Sequence, residues 1–482
     1  MPVDLQHPEY EAWADRWQRC RDTMAGEDAV KAAGRKYLPE LPGHKNKPDD
    51  YAAYKMRTLF LEASARTLQG LVGAVFRKDP TLDAPNVAQG RTWLEWDVTG
   101  RRMPWDRLAQ YLLAEVLTVG RCGLYVTHTA EDAEMPRPYV QPIAAEAITN
   151  WQVEYIGGEQ RLAWVVLRES VDDTDPDDPY AHSKIEQYRV LKMGRNSDNG
   201  GRVFIVEIWR EDKAALVEEE KWQLFETTVP LRRGQPLDHI PFYFVNSSST
   251  DAEVEKPPLL GLINTNLNHY QQNADYRNVL FFCAAGVTAW VAGFDTSTEL
   301  KLGGSTAWVT DNEQAKAGFL EFTGQGAQPL VDSLDKLEHY MAYQGGRLLA
   351  QPKKAVEAAE THRLRAAAEA VTVQSVSQVV GQALGQALTE MLNWGGVEGD
   401  VTVTLNSDLT DGVMNHQMLQ AQVQALASGA ISFETFWFNL ERGELVPPGV
   451  NAEDERRRID IQIGAGDLPE DGDGDGLVEA AG

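Results

Sequence analysis

The positions of apolar residues along the chain predict helices interrupted by one block of strands. Apolar side chains that recur every three to four residues indicate amphipathic helices, and Trp13 and Trp17, one turn apart, mark the first of them. The predicted helices cover, in chain order, about 7–24, 51–78, 105–119, 257–286, 329–344 and 361–394, with two more between 411 and 441. The stretch 37–50, rich in Pro, Gly and Asp, is predicted to be a linker.

Between residues 121 and 246 the pattern changes to short β-type runs. Runs such as CGLYVTH, LAWVVLRES and RVFIVEIWR alternate with turn-forming stretches such as DDTDPDDP and NSDNGG. They predict a mainly antiparallel sheet flanked by helices. A Gly-rich strand region at 287–328 and a strand at 401–405 follow. Helices and strands together place the protein in the α+β class.

The helix predicted at 257–286 carries amides on its polar side, where a surface helix normally carries charges. Its packing stripe follows the 3.6-residue period and consists of Leu259, Ile263, Leu267, Tyr270, Ala274 and Phe281. The polar residues that fall mainly away from this stripe are Asn264, Asn268, Gln271, Gln272, Asp275 and Asn278. Asparagine disfavours helix, so five of them lower the stability of this one. Two explanations stay open: a hydrogen-bond network between packed helices, or the lining of a conduit in which amides bind water and phosphate weakly.

Composition indicates a large globular protein that does not bind nucleic acid tightly. The protein has 482 residues, 43% of them hydrophobic, and its 45 Lys and Arg against 72 Asp and Glu give a formal net charge of −27. Two or more packed units are expected at this length. Tight binding to nucleic acid depends on cations that replace counterions on phosphates, so this charge argues against it, but it does not exclude a protein that only lets DNA pass. No apolar run reaches the roughly 18 residues of a membrane span, and the N-terminus lacks a secretory signal pattern, so the protein is expected to stay in the cytoplasm.

No pattern of catalytic or metal-binding residues is found, so neither enzyme activity nor a cofactor is expected. The sequence lacks GxxxxGK[ST], HExxH, GxSxG and a dinucleotide fingerprint after a strand. Cys20, Cys122 and Cys283 are far apart, which is typical of reduced thiols. The acidic end after residue 464 matches only part of a calcium loop, because its twelfth position is Gly482 instead of Glu, and it is predicted to be a disordered tail.

Two local features differ from this background. Lys353 and Lys354 follow Pro352 in a break between two predicted helices, where a loop could project cations from an acidic body. GQALGQAL, residues 381–388, places small residues at helical spacing and predicts tight packing of a helix that, at about 1.5 Å per residue, is roughly 50 Å long.

Two segments carry a family resemblance. They are PPLLGLINTNLNHYQQNADYRN, which begins at Pro257, and GAISFETFWFNLERGE, which begins at Gly429. With an α/β half before them and a long helix between them, they resemble the portal proteins of tailed bacteriophages over about residues 50–463. The resemblance is closest to a portal-like group once known only as a domain of unknown function. It implies a portal-type fold with an α/β wing, a stem helix, a small β-rich clip, a long wing helix and a C-terminal helical crown.

The resemblance implies a ring of about twelve subunits at one vertex of the capsid. Double-stranded DNA would pass through this ring, without sequence-specific binding, during packaging and ejection. The implied partners are other copies of the protein, the terminase large subunit, a head-tail adaptor, and the major capsid or scaffold protein. The implied location is the virion, at the portal vertex, after assembly in the host cytoplasm; no membrane contact and no cofactor are implied.

On this resemblance the protein divides into seven segments. They are an N-terminal helix and linker (1–48), an α/β wing (49–250), a stem helix (251–286), a clip (287–328), a further wing segment (329–410) with a tunnel loop (345–360) and a long helix (361–394), a C-terminal helical crown region (411–463), and a disordered acidic tail (464–482).

The resemblance also implies roles for individual residues. The residues expected to line the DNA channel are Asn264, Asn268, Gln271, Gln272, Lys353 and Lys354. The residues expected in the clip, where partners dock, are Trp290, Phe294 and Trp308. The portal pattern has a second stem helix that returns from the clip, but residues 297–322 show no strong helical period, so none is predicted there. Two other classes remain: another virion adaptor or scaffold protein, and an α/β hydrolase, for which no nucleophile and base can be named.

Overall fold

The computed structural model shows an α+β protein. Helices account for 48% and strands for 24% of it, which confirms the predicted class. The protein divides into two compact units, Met1–Leu409 and Thr410–Gly482. The structure describes residues 3–85, 87–129, 137–173, 180, 183–195, 200–212, 221–285, 288–294, 308–320, 326–346, 356–407, 416–442, 445–446 and 450–466.

The helices and strands are numbered in chain order. The helices are α1 (Pro8–Ala25), α2 (Glu27–Ala33), α3 (Pro48–Arg57), α4 (Ala63–Val75), α5 (Ala88–Trp96), α6 (Trp105–Val119), α7 (Leu260–Ala285), α8 (Ala327–Met341), α9 (Val356–Trp394), α10 (His416–Ala427), α11 (Phe433–Arg442) and α12 (Ala452–Gly466). The strands are β1 (Thr81–Asp83), β2 (Arg121–His128), β3 (Pro138–Ala144), β4 (Ile148–Ile156), β5 (Glu159–Asp172), β6 (Lys184–Arg195), β7 (Arg202–Glu211), β8 (Trp222–Thr228), β9 (Leu231–Arg232), β10 (Gln235–Pro236), β11 (Phe242–Asn246), β12 (Thr288–Ala292), β13 (Lys316–Leu320) and β14 (Thr402–Thr404).

The strands between 121 and 246 are antiparallel, as predicted, but they form more than one sheet. Strands β4 to β8 make a five-stranded meander in chain order, whereas β11, β2 and β3 make a separate three-stranded sheet. The short strands pair as β1 with β14, β9 with β10, and β12 with β13. The pair of β12 and β13 confirms strands within the predicted region 287–328.

Helix prediction was correct for most elements, but it missed α5 and was wrong at three further places. The single helix predicted at 51–78 is two helices, α3 and α4, separated by residues 58–62. Helix α9 begins at Val356, five residues before the predicted start and within the segment 345–360 that was expected to be a loop. Helix α2 was not predicted, because its seven residues offer too few apolar positions to show a period.

Helix α9 is central to the larger unit. It contacts α6, the three strands β2, β3 and β11, and the short strand β14. Leu384, Ala387, Leu388 and Met391 are fully buried in the main hydrophobic core. Burial of a Leu or Met side chain stabilises the fold by roughly 1.5–3 kcal/mol. The second half of this helix therefore contributes much of the stability of the core.

Two glycines allow the backbone of β14 to lie directly against α9. A Cβ atom at Gly381 would lie 2.6 Å from the carbonyl oxygen of Val403, and one at Gly385 would lie 2.8 Å from the carbonyl oxygen of Val401. The N–H of Val401 donates to Thr389 Oγ1 at 2.8 Å. The tight packing predicted for GQALGQAL is confirmed, and the neighbour is the backbone of a strand.

Polar contacts join the C-terminal half of α9 to the segment that contains β9 and β10. Arg232 Nη1 donates to Glu390 Oε1 at 3.2 Å, and Trp394 Nε1 donates to the carbonyl oxygen of Leu231 at 3.0 Å. His239 Nε2 lies 3.6 Å from Glu390 Oε2, and its Nδ1 lies 2.9 Å from Asp238 Oδ1. The nearby carboxylate of Glu390 raises the pKa of His239 above its usual value, although burial opposes this.

We expect the contact between His239 and Glu390 to weaken as the pH rises. A histidine whose pKa is raised by folding stabilises the fold fully below its unfolded pKa, about 6.5, and loses this contribution as the pH rises through the folded pKa. Urea unfolding at about pH 6 and about pH 8.5 should therefore show a larger loss of stability in the wild type than in His239→Gln. Equal losses in the two proteins would show that His239 does not carry this effect.

The smaller unit contains helices α10, α11 and α12. Ser432 caps α11, because its Oγ accepts the N–H of Thr435 at 3.1 Å. Asn439 Nδ2 donates to Gln422 Oε1 at 3.0 Å and joins α11 to α10. Arg456 Nη1 lies 2.8 Å from Glu434 Oε1 and joins α12 to α11. The two helices predicted between 411 and 441 are confirmed as α10 and α11. Helix α12 extends to Gly466, past residue 464, where the disordered tail was predicted to begin.

Candidate functional site

Helix α7 packs through the apolar stripe that the sequence predicts. Leu259, at the residue before the helix, and Ile263, Leu267, Tyr270 and Ala274 are buried. Phe281 is 40% exposed, because the last turns of α7 extend beyond the core. Leu267, Tyr270 and Ala274 belong to a second hydrophobic cluster with side chains from α2, α3 and the residues around them.

The amides of α7 lie on two different faces. Asn266 and Asn273 are buried, Gln271 and Gln272 are half-buried, and Asn264 and Asn268 are exposed. At 100° per residue, Asn266 and Asn273 point away from Asn264 and Asn268. The helix therefore uses its amides for two separate purposes.

The buried amides hold the irregular backbone between α3 and α4. Asn266 Oδ1 accepts the N–H and the hydroxyl of Ser64, both at 3.0 Å, and Asn266 Nδ2 donates to the carbonyl oxygen of Leu61 at 2.6 Å. Asn273 Oδ1 accepts the N–H of Leu59 at 3.0 Å. Buried backbone groups outside regular structure need such partners. These bonds match the first of the two explanations offered for the amides, a network between packed elements.

The half-buried glutamines also bind neighbouring elements. Gln271 Nε2 donates to the carbonyl oxygen of Tyr37 at 2.8 Å. Gln272 Oε1 accepts the hydroxyl of Ser333 at 2.6 Å, and its Nε2 donates to Asn268 Oδ1 at 3.3 Å. Gln271 and Gln272 therefore already form hydrogen bonds within the protein, which leaves fewer of their polar atoms for solvent or a ligand.

One face of α7 is exposed, and its own side chains include one acid and no base. Asn264, Asn268, Asp275 and Phe282 are exposed and lie within about 40° of one another around the helix axis. Asn264 Oδ1 accepts from Arg19 Nη1 at 3.0 Å. Asp275, the one acid among these four, accepts the hydroxyl of Tyr54 at 2.9 Å; burial and this hydrogen bond raise the pKa of Tyr54. We refer to Asn264, Asn268, Asp275 and Phe282 as the open face.

Helix α8 returns antiparallel to α7. Two polar pairs join the helices, His269 with Glu338 and Gln272 with Ser333, and a third joins Thr265 of α7 to Gln344 just after α8. The order of the partners runs in opposite directions along the two segments. The returning helix is the one predicted at 329–344. It begins at Ala327, after the hairpin of β12 and β13, and not within residues 297–322.

A π-helical turn, Ala342–Gly346, is fixed between α4 and α7. Thr265 Oγ1 donates to Gln344 Oε1 at 3.1 Å. A Cβ at Gly345 would lie 2.5 Å from Thr67 Cγ2, so only glycine fits here without a shift of its neighbours. This turn leads towards Lys353 and Lys354, which lie outside the described residues, so their predicted role stays a prediction.

The predicted clip residues lie in and beside the β12–β13 hairpin. Trp290 is 46% exposed and stands opposite Gly318 in the strand pairing. The rings of Phe294 and Trp308 meet edge to face, with centroids 6.5 Å apart. The structure brings Phe294 and Trp308 together, whereas Trp290 presents an open aromatic surface. Their role in docking a partner stays a prediction.

Searches of the described residues for other kinds of site found none. No group of three or more His, Cys, Asp or Glu in that part of the protein could hold a metal ion. Within the same residues, no helix combines the length and apolar character needed to cross a membrane. Cys20 and Cys122 are buried and Cys283 is exposed, and all three are free thiols.

Part of the sequence that contains α7 is similar to a known protein family. Residues 258–395, which include α7, the β12–β13 hairpin, α8 and α9, match the model of a family described as a domain of unknown function, DUF4055. A comparison with curated proteins gave no match. Among solved structures, one described as "Neck of empty GTA particle computed with C6 symmetry" holds a protein that is 12% identical; the match covers 80% of the present sequence and 92% of the other, with a TM-score of 0.35. A TM-score this low does not assign a fold or a function.

The buried pair Asn266 and Asn273 was missed in the sequence. Both belong to the five asparagines that lower the stability of the helix, but from the sequence they were not distinguished from the exposed residues Asn264 and Asn268. A signal was present, because at 100° per residue both fall beside Leu259, Ile263 and Tyr270. An asparagine on the apolar stripe indicates a buried hydrogen bond.

Proposed function

We propose that this protein is a portal-type virion protein that assembles into a ring, with the open face of α7 turned towards passing double-stranded DNA. The observation that carries this proposal is the open face itself: a surface on a long helix whose exposed polar groups are mainly amides, in a protein with a net charge of −27. The family resemblance of the helix and of the segment 429–444 supports the same function.

A neutral wall suits a channel for a long polyanion. Each protein cation that contacts a phosphate adds affinity through counterion release, and repeated contacts around a ring would hold the DNA in place. Asn264 and Asn268 can hydrogen-bond water or phosphate without this gain. Because the whole protein is acidic, a ring of about twelve copies would also repel DNA towards its centre.

Assembly of a ring requires contacts between unlike faces of neighbouring copies. Phe281 at the end of α7 and Trp290 in the hairpin that follows are 40% and 46% exposed in the single subunit. Large apolar side groups exposed near one end of a helical pair mark a surface that is covered by a partner. We assign this end to contacts with neighbouring copies or with a head-tail adaptor.

The protein is proposed to have no catalytic role. A pore does not itself supply the energy of packaging, and this sequence holds no P-loop. The energy would come from the terminase large subunit, which would dock on the ring together with capsid or scaffold protein. Lys353 and Lys354 would touch the DNA briefly at the narrowest point. The protein would be part of the virion after assembly in the host cytoplasm.

A cation added to the open face should hold DNA in the channel. The variant Asn268→Arg is expected to assemble normally but to package about tenfold less DNA at low salt, since every subunit of the ring gains a phosphate contact. Raising the salt concentration should restore much of the loss. The measurement is the amount of nuclease-resistant DNA per assembled particle.

The matched control is Gln89→Arg on helix α5, which adds the same charge at an exposed position of another helix. This control should package DNA like the wild type. Normal packaging by Asn268→Arg in intact rings would remove the open face from the channel.

A further inference from the structure

A groove runs along α9 beside strand β14, far in sequence from the open face of α7. Its volume is about 700 Å³. One wall carries Gln378, Gln382 and Gln386, the other consists of residues 400–405, and Ser377, Gly381 and Gly385 lie between them. All of these residues belong to the larger compact unit.

The three glutamines repeat at the spacing of an extended peptide. Residues four apart on a helix are separated by about 6 Å along its axis, and every second residue of an extended peptide repeats at about 6.6 Å. Gln378, Gln382 and Gln386 are exposed, and none of them forms a hydrogen bond within the described part of the protein. Each carries a donor and an acceptor, so each can pair with a carbonyl oxygen and an N–H of a peptide backbone.

One residue that lines the groove, Ser377, has a buried hydroxyl that also lacks a partner among the described residues. Ser377 is 1% exposed, and its Oγ has no hydrogen-bond partner there. A buried polar atom left unpaired costs about 1–3 kcal/mol. The backbone of a ligand in the groove could supply the missing bond.

One end of the groove is acidic. Asp400 precedes Val401, whose carbonyl oxygen faces Gly385, so Asp400 lies near the Gln386 end. Asp400 is exposed and has no ion pair within the described residues. Glu390 also lines this end, but it is already bound by Arg232. The unpaired carboxylate favours a cation and disfavours a nucleic acid.

We propose that this groove binds an extended peptide segment of another protein, with its backbone paired to the three glutamines and a Lys or Arg placed beside Asp400. Backbone pairing makes the site tolerant of sequence, while the acidic end sets the position of the peptide. This interaction does not depend on the DNA channel, since every group that forms it belongs to one subunit.

The test uses the full-length protein and two fluorescein-labelled peptides, Lys-Thr-Val-Thr-Val-Thr and Thr-Val-Thr-Val-Thr-Lys, which differ in the end that carries the cation. Fluorescence anisotropy should give a dissociation constant on the order of 0.1 mM for one of them. Replacing all three glutamines by Ala should weaken binding at least tenfold, and Asp400→Asn should remove the dependence of binding on the lysine. Gln89→Ala, an exposed glutamine of helix α5, should bind like the wild type.

A second arm changes the peptide and leaves the protein intact. Methylation of alternate backbone nitrogens, which removes N–H donors and keeps every side group, should abolish binding. Equal binding of the methylated peptide, or no binding of either peptide at about 2 mM, would overturn the proposal. So would a change in oligomeric state caused by the triple substitution, because the groove would then hold a second copy of this protein.

Discussion

Replacing Gly381 by Ala is expected to lower the free energy of unfolding by about 3 kcal/mol, near the upper end of the usual cost of overpacking. A new Cβ would lie 2.6 Å from the carbonyl oxygen of Val403, a contact that real Cβ atoms do not make. The strand cannot easily move away, because β14 is paired with β1 and Val401 is bound by Thr389. Urea unfolding followed by circular dichroism measures the effect.

The control is the same substitution at Gly73 in helix α4. Gly73 is exposed, and nothing lies within 4 Å of an added Cβ. Ala is the better helix former by about 1 kcal/mol, so Gly73→Ala should stabilise the protein slightly. The free energy of unfolding is therefore expected to fall for Gly381→Ala and to rise for Gly73→Ala. Stabilisation by Gly381→Ala would show that β14 does not lie on α9 as described.

Replacing Asn266 by Ala is expected to cost about 3 kcal/mol, because it leaves the buried N–H and the buried hydroxyl of Ser64 without their acceptor, at about 1–3 kcal/mol each. Both groups lie at the start of α4, beside the break between α3 and α4. The carbonyl oxygen of Leu61 also loses a bond from Asn266 but keeps the N–H of Ala63 at 2.8 Å. The loss should appear in urea unfolding. Hydrogen exchange should also become faster at residues 58–64.

Asn268→Ala is the matched control, two residues away on the same helix. Its side group is exposed, and Ala favours helix over Asn by a few tenths of a kcal/mol, so stability should be unchanged or slightly higher. The pair of variants separates the two explanations for the amides. If Asn268→Ala cost as much as Asn266→Ala, the exposed asparagine would also be structural and the open face would not exist.

The parts of the fold that were predicted correctly depend on local signals. Helix α6 begins right after Pro104 and ends before Gly120, which adopts a left-handed conformation with φ +78°. The long apolar period of α7 identified its packing stripe without knowledge of its neighbours. The β-type runs between 121 and 246 alternate with turn residues and were found for the same reason.

The parts that were missed depend on residues far away in the sequence. The predicted helix 51–78 is broken because Asn266 and Asn273, about 200 residues later, supply hydrogen bonds to residues 59–64. The glycines of α9 suggest close packing, but only the structure shows that a strand backbone is the neighbour. The division of the amides of α7 into buried and open faces likewise follows from which elements pack on that helix.

The structure also changes which residues the proposed channel depends on. Asn264 and Asn268 are exposed, although the oxygen of Asn264 accepts from Arg19 and that of Asn268 accepts from Gln272. Gln271 and Gln272 are half-buried and bind Tyr37 and Ser333. The predicted lining therefore rests mainly on the two asparagines. The buried amides keep α7 in place, and the exposed amides keep their Nδ2 donors available to solvent or DNA.

Imaging of the purified protein tests the central claim most directly. Negative-stain electron microscopy, combined with native mass measurement, should show a ring with an open central hole and a mass of about twelve times 53.5 kDa. Difference density from a label on an Asn268→Cys variant, with Cys283 replaced by Ser, should appear on the inner wall of the ring. Monomers at every concentration, solid particles without a hole, or labels on the outer wall would contradict the account.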